Sequence, residues 1–205
     1  MYLYPYPRRR YGVVSIIEAL NKNEVLALMI SLLALAFIYT GVFSLIRRGL
    51  GYFIVILLLT APSFLIHELA HRQVARHYGY LARYVIFPSW FLVSLLTAFL
   101  PFFRIIALGS VIIYAYVLPR DVNVKIALAG PLSNVVMAAI SIFFSRIIHY
   151  PISTYLYVFS NINALYALFN LLPIPPLDGF KVFKGNVRMW IIAFLLSLVF
   201  FLLTT

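Results

Sequence analysis

Long apolar runs, broken by short basic or proline-rich stretches, organise this chain. Residues 25–46 form the first run, which closes on Arg47-Arg48-Gly49. A second begins near Leu50 and continues to about Tyr78. Three more cover residues 122–146, 153–172 and 187–203. A helix rises about 1.5 Å per residue and the hydrocarbon core of a bilayer is about 30 Å thick, so runs of this length can cross it. The expected fold is an all-α polytopic membrane protein with about five to six transmembrane helices, in a single domain over residues 1–205.

Two stretches depart from this pattern. Residues 1–24 are polar and aromatic, with Tyr-Pro-Tyr-Pro followed by Arg8-Arg9-Arg10. No short apolar core with a small-residue cleavage site follows the arginines, so this is not read as a signal peptide. Residues 13–20 are expected to form a short interfacial helix. Residues 80–121 are broken by Phe87-Pro88-Ser89-Trp90 and by Pro101. Residues 104–117 are rich in Ile, Val and Tyr around Gly109, which predicts strand and a hairpin at Gly109-Ser110. Strand edges cannot face lipid. Residues 84–118 are therefore expected to be a re-entrant or β-containing segment, a small membrane-associated β element between the second and third spans.

Composition agrees with the pattern. Hydrophobic residues make up 64% of the chain and charged residues 10%, with a mean hydropathy of +1.03. Soluble domains carry about 25% charged residues. The absence of cysteine excludes disulfides and thiolate metal sites. The net charge of +11 would suggest nucleic acid in a soluble protein. Here the cations lie between apolar runs, where they orient the chain and attract anionic head groups. If residues 84–118 make no net crossing, most Lys and Arg, Arg104 included, share one side. Arg47, Arg48 and Arg146 stand opposite. The positive-inside rule then puts the N-terminus and the end of the second run toward the cytoplasm of a multi-pass cell-membrane protein.

The chemistry concentrates at the end of the second run, His67-Glu68-Leu69-Ala70-His71. Residues i and i+4 share a helix face, so both imidazoles can reach one metal ion, and Glu68 beside them can move a proton. Of 4 histidines and 5 acids in the chain, two and one fall within five residues. Gly51 to His67 spans about 24 Å of helix, which buries the pair in the membrane near the end marked by Arg72, Arg76 and Arg83. Pro62, five residues before His67, is expected to kink the helix or loosen its hydrogen bonding.

A catalytic zinc needs a third protein ligand. Glu18 and Glu24 flank the first run, Asp121 sits in a loop, His77 lies off the ligand face and His149 lies in a turn. Asp178 follows Pro173-Ile174-Pro175-Pro176-Leu177, where the prolines predict extended backbone and Gly179 allows an unusual angle. By elimination Asp178 is the third ligand. Ala129-Gly130-Pro131-Leu132-Ser133-Asn134 places small residues where another helix can approach, and Asn134 can hydrogen-bond across that contact.

At this point the chain resembles the site-2 protease family of intramembrane zinc metalloproteases. Three blocks in order carry the resemblance: His67-Glu68-Leu69-Ala70-His71, Gly130-Pro131-Leu132-Ser133-Asn134, and Asn170 through Asp178-Gly179. It implies one zinc held by His67, His71 and Asp178, with Glu68 as general base and acid. It implies Asn170 near the substrate strand and the developing oxyanion, Asn134 facing the site, and a sheet at residues 84–118 that holds an extended substrate. Phe180 departs from the family's second glycine after Asp-Gly. No stretch is long enough for a PDZ or CBS domain, so regulation by such domains is not expected.

The expected function is hydrolysis of a peptide bond within or beside a transmembrane helix of a protein substrate, in regulated intramembrane proteolysis. Two alternatives stand beside it: a catalytically inactive relative that binds membrane segments, and a metal transporter. The few acids and histidines speak against staged transport, and the intact Glu68 against inactivity.

Overall fold

The computed structural model describes residues 13–101 and 104–205, so the expectations for Arg8–Arg10 lie outside the described residues. Helix α1 (Val13–Leu20) is the short helix expected after the arginines. Helix α2 (Glu24–Thr40) starts on Asn23, whose side-chain oxygen accepts from the N–H groups of Val25 and Leu26. It ends at Gly41, with φ 68° and ψ 149°, a region open essentially to glycine alone. The first apolar run is therefore not one span to residue 46, which corrects the sequence expectation. Residues 42–48 instead lead into α3 (Val42–His77), which breaks again at Gly49 (φ 74°). Gly49 is the one position inside α3 with non-helical backbone angles, and Pro62 lies within helical backbone.

Strand β1 (Leu81–Ile86) pairs antiparallel with β2 (Gly109–Tyr114), Tyr84 facing Val111. Helix α4 (Pro88–Leu96) and a 3-10 turn at Thr97–Phe99 lie between them. The expected hairpin at Gly109-Ser110 does not form. Gly109 opens β2 and packs on the Val85 carbonyl and the Tyr84 ring, leaving no room for a Cβ. Its strand partner lies before α4, out of reach of local sequence.

The segment between the strands makes an excursion along α2 and returns. Tyr84 sits at the start of α2, where its N–H donates to Glu24 Oε1 at 2.9 Å. Arg104 sits at the other end, where Nε donates to the Ile38 carbonyl at 2.8 Å. At Val111 the chain is back beside Tyr84. The segment thus makes no net advance along α2, but it puts Arg104 at the opposite end of that helix from Arg72 and Arg83, with which it was grouped. The guanidinium is held there by the carbonyls that close α2 and the turn after α4.

Helices α5 (Arg120–Ser145), α6 (Ile152–Asn170), α7 (Asp178–Gly185) and α8 (Val187–Leu203) complete the chain. The proline-rich stretch before α7 is a series of tight turns, with Ile174 N–H on Leu172 O and Leu177 N–H on Ile174 O, rather than extended backbone. Among the described residues, α3 and α5 are long and apolar enough to cross a membrane. Helices α2 and α8 are apolar but have 17 residues each. Only 22% of the apolar window of α3 is buried, with Ile54, Leu58, Ile66 and Leu69 exposed, unlike the core helix of a soluble protein.

The main core joins Leu35 and Ile38 of α2, Phe64 of α3, Tyr84 and Ile86 of β1, and Tyr166 of α6. A second cluster, with Val124, Leu128, Leu171 and Val182, locks α7 against α5, and Trp190 Nε1 donates to Leu171 O at 2.7 Å. These two clusters hold α3, α5, α6 and α7 around one buried point. Because Gly41 alone permits the turn between α2 and α3, Gly41→Ala should destabilise the fold by about 1–3 kcal/mol, seen as a lower thermal-unfolding midpoint in detergent.

Candidate metal centre

His67 and His71 stack one turn apart on α3, buried to 2% and 3% exposure. Their Nε2 atoms lie 3.1 Å apart. Asp178, the first residue of α7, places Oδ2 at 3.4 Å from His67 Nε2 and 2.9 Å from His71 Nε2. Tetrahedral ligands at about 2.0–2.1 Å from zinc stand roughly 3.3 Å apart. The three atoms have the spacing of one face of such a tetrahedron.

The hydrogen bonds around the rings fix which nitrogen carries the proton. His67 Nδ1 lies 2.5 Å from Asn134 Oδ1. Asn134 is oriented by its own amide, which donates to Ser63 O at 3.1 Å and to Asn163 Oδ1 at 2.8 Å, so an oxygen faces the histidine. His71 Nδ1 lies 2.6 Å from the Ile126 carbonyl. Both rings therefore donate from Nδ1 and turn a lone pair out at Nε2. With both imidazoles neutral, two lone pairs and a carboxylate oxygen converge there with no hydrogen between them. A cation satisfies that arrangement, and the residues fit a zinc ion.

Each helix brings its part by a readable local feature. Gly130 of α5 packs directly against both imidazoles and leaves no space for a Cβ. This is the close approach expected of the small residues, and α3 is the helix approached. Gly179 follows the same logic, pressed on the Leu171 carbonyl. Its φ is not positive, which corrects the expected unusual angle: contact, not conformation, calls for glycine there. Asp178 does not cap its helix, for Leu177 holds the N-cap position. Asp178 Oδ1 instead takes a hydrogen bond from Lys181 Nζ at 3.1 Å.

Glu68 is buried at 6% exposure, and its Oε2 has no hydrogen-bond partner among the described residues. It lines a cavity with His67, Asn170, Asp178, Gly109 and Ser110. Asn170 closes α6, with its amide donating to Tyr166 O at 2.9 Å. Asn134 lies behind His67 and is fully buried. Of the candidates set aside, Glu24 serves β1 and Arg72, whereas His77 and His149 are exposed.

Sequence reasoning did not single out Asn163, Tyr166, Lys181 or the Ile126 carbonyl. Asn163 stands seven residues before Asn170, on the same face of α6, a spacing that could have marked it. Tyr166, whose ring centroid is 4.8 Å from that of His67, reads as an ordinary core aromatic. A backbone carbonyl leaves no trace in sequence.

The model of peptidase family M50 matches residues 140–197. A protein of Methanocaldococcus jannaschii described as a "putative zinc metalloprotease" is 38% identical over 84% of this chain and 89% of its own length. A Bacillus subtilis protein with the same description is 31% identical, over 61% of this chain and 65% of its own. A further M. jannaschii zinc metalloprotease is 24% identical over 65% of this chain and 34% of its own length. No solved structure gives a significant match.

Metal content provides the direct check on the cluster. Purified protein should carry about one zinc per chain, and His67→Ala and Asp178→Ala should each lose it in elemental analysis. Asn134→Ala should keep the ligands but weaken zinc affinity by about 10–100-fold, the usual cost of a lost ligand-orienting partner, measured by competition with a chelator.

Proposed function

The chain belongs to peptidase family M50, the site-2 protease family of zinc metalloproteases, and from that premise we propose that it cleaves a peptide bond within or next to a transmembrane helix of a protein substrate. The observation that carries the reading is the orphaned Oε2 of Glu68, in one cavity with His67 and Asp178, two of the three convergent acceptors. An uncompensated carboxylate at such a place is costly, and proton transfer gives it a use.

His67, His71 and Asp178 are the residues that hold zinc in this reading. A zinc ion held there would supply Lewis-acid chemistry, polarising a carbonyl and acidifying a water. Glu68 takes the water's proton and returns it to the leaving amine. Asn170, which spends one N–H on Tyr166 O, keeps the other for the carbonyl oxygen of the substrate.

A helical substrate hides its carbonyls in hydrogen bonds, so the segment to be cut must be extended. The sheet offers an edge for it. On β1, the outward N–H of Tyr84 is taken by Glu24 Oε1. Asn21 accepts from Ile86 N–H at 2.8 Å and donates to Ile86 O at 2.9 Å. On β2, the outward groups of Gly109, Val111 and Ile113 meet no partner among the described residues. Substrate pairing by β-augmentation therefore falls to β2, whose Gly109 and Ser110 line the Glu68 cavity.

The protein works as a multi-pass membrane protein of five to six spans, with α2, α6 and α8 completing the crossings made by α3 and α5. The metal lies toward the cytoplasmic side, and the protease acts in the regulated release of membrane-anchored proteins. The exposed apolar faces of α3 and α8 and the concentration of Lys and Arg near the metal end support this placement.

Glu68→Gln should abolish cleavage of a co-reconstituted model transmembrane substrate while leaving zinc content unchanged. Cleavage retained in this variant would overturn the assignment of the base. Val111→Pro removes one outward donor of β2 without touching the ladder to β1. It should raise KM several-fold with little change in kcat or zinc content, and an unchanged KM would remove β2 as the substrate edge.

A further inference from the structure

A second site lies at the end of the molecule where α5 begins and α7 gives way to α8. A cavity of about 530 Å³ opens there, and His67, His71 and Asp178 do not line it. Arg120 and Lys125 of α5 and Arg188 of α8 line it, with Asp121 as the lining acid. Lys125 Nζ lies 5.4 Å over the Tyr78 ring, and Arg120 Nη2 donates to Lys184 O at 2.5 Å. Arg188 has no hydrogen bond or ion pair among the described residues. Two helix N-termini meet at the same place. Pro119 gives α5 no side-chain cap, and Asn186 caps α8 through Met189 N–H alone, so first-turn N–H groups of both helices are free of intrahelical partners. Cations and helix dipoles thus add at one opening.

Val124, Val187 and Met189 form the apolar part of the lining, beside Gly185 and Asn186. Beyond it the exposed Ile191, Ile192 and Leu195 continue along α8. We propose that this cavity binds the phosphodiester head group of an anionic phospholipid, with an acyl chain laid along α8. A free phosphate would use the cations and leave the apolar lining and the α8 face unexplained. The inference rests on the membrane placement of α5 and α8 and is independent of the protease chemistry. The site also touches the element that carries Asp178: Arg120 grips Lys184 near the end of α7, and Gly185 packs tightly on Val124.

The test is native mass spectrometry of the full chain purified in detergent and offered phosphatidylglycerol or phosphatidylcholine. Wild type should retain phosphatidylglycerol preferentially. Arg188→Gln should weaken that retention about fivefold, and Arg188→Gln with Lys125→Gln further, following the usual gain per cation at an anionic head group. Arg47→Gln, far from the cavity, serves as the control and should behave as wild type, with circular dichroism confirming that each variant is folded. Equal retention of the two lipids, or retention unchanged in the double variant, overturns the proposal. Inorganic phosphate is the second probe, followed by ³¹P line broadening. If millimolar phosphate binds in an Arg188-dependent way and displaces phosphatidylglycerol, the site is one for free phosphate and the lipid assignment fails.

Discussion

The convergence of three acceptors with no hydrogen between them is the constraint on which this structure turns. His67 Nε2, His71 Nε2 and Asp178 Oδ2 lie within 3.4 Å of one another at a buried point. Left alone, that arrangement is repulsive and poorly solvated. It is held in place by donors and acceptors behind the rings and by the cation it calls for. Both histidines sit on α3, but Asp178 comes from α7, 107 positions along the chain from His71. The metal centre and the packing of four helices are one problem.

Asn134 is the joint of that arrangement. One fully buried side chain on α5 touches α3 through His67 and Ser63 and α6 through Asn163. A buried amide with unsatisfied groups costs about 1–3 kcal/mol, so the network holds best when complete. Its amide oxygen faces the histidine, so a neutral His67 carries its proton on Nδ1 and offers a lone pair toward Asp178. A single asparagine thus ties helix docking to the chemistry of the site. Gly130, one turn earlier, permits the approach that brings it there.

The sheet shows a second economy. A two-stranded sheet has two open edges, each a hazard in an apolar setting. One is closed by Asn21 of the link between α1 and α2 and by Glu24 at the start of α2, which imitate a neighbouring strand. The other faces the metal cavity. Closing one edge leaves β2 as the open edge of this sheet among the described residues, and it gives the link between α1 and α2 a structural role in the sheet.

The sequence by itself determined what depends on spacing along one helix and on the chemistry of side chains. The i, i+4 histidines and the apolar runs gave two imidazoles on one helix face, the approximate limits of α5, α6 and α8, and the helix at residues 13–20. Asp178 emerged because few acids exist to choose from. Tertiary structure decided the rest, because the rest depends on partners distant in sequence. The split of the first run at Gly41, the pairing of residues 81–86 with 109–114 across α4, and the far-side position of Arg104 follow from packing that no local pattern encodes. The orientation of His71 rests on the Ile126 carbonyl, a group that every residue has and that only the fold can aim.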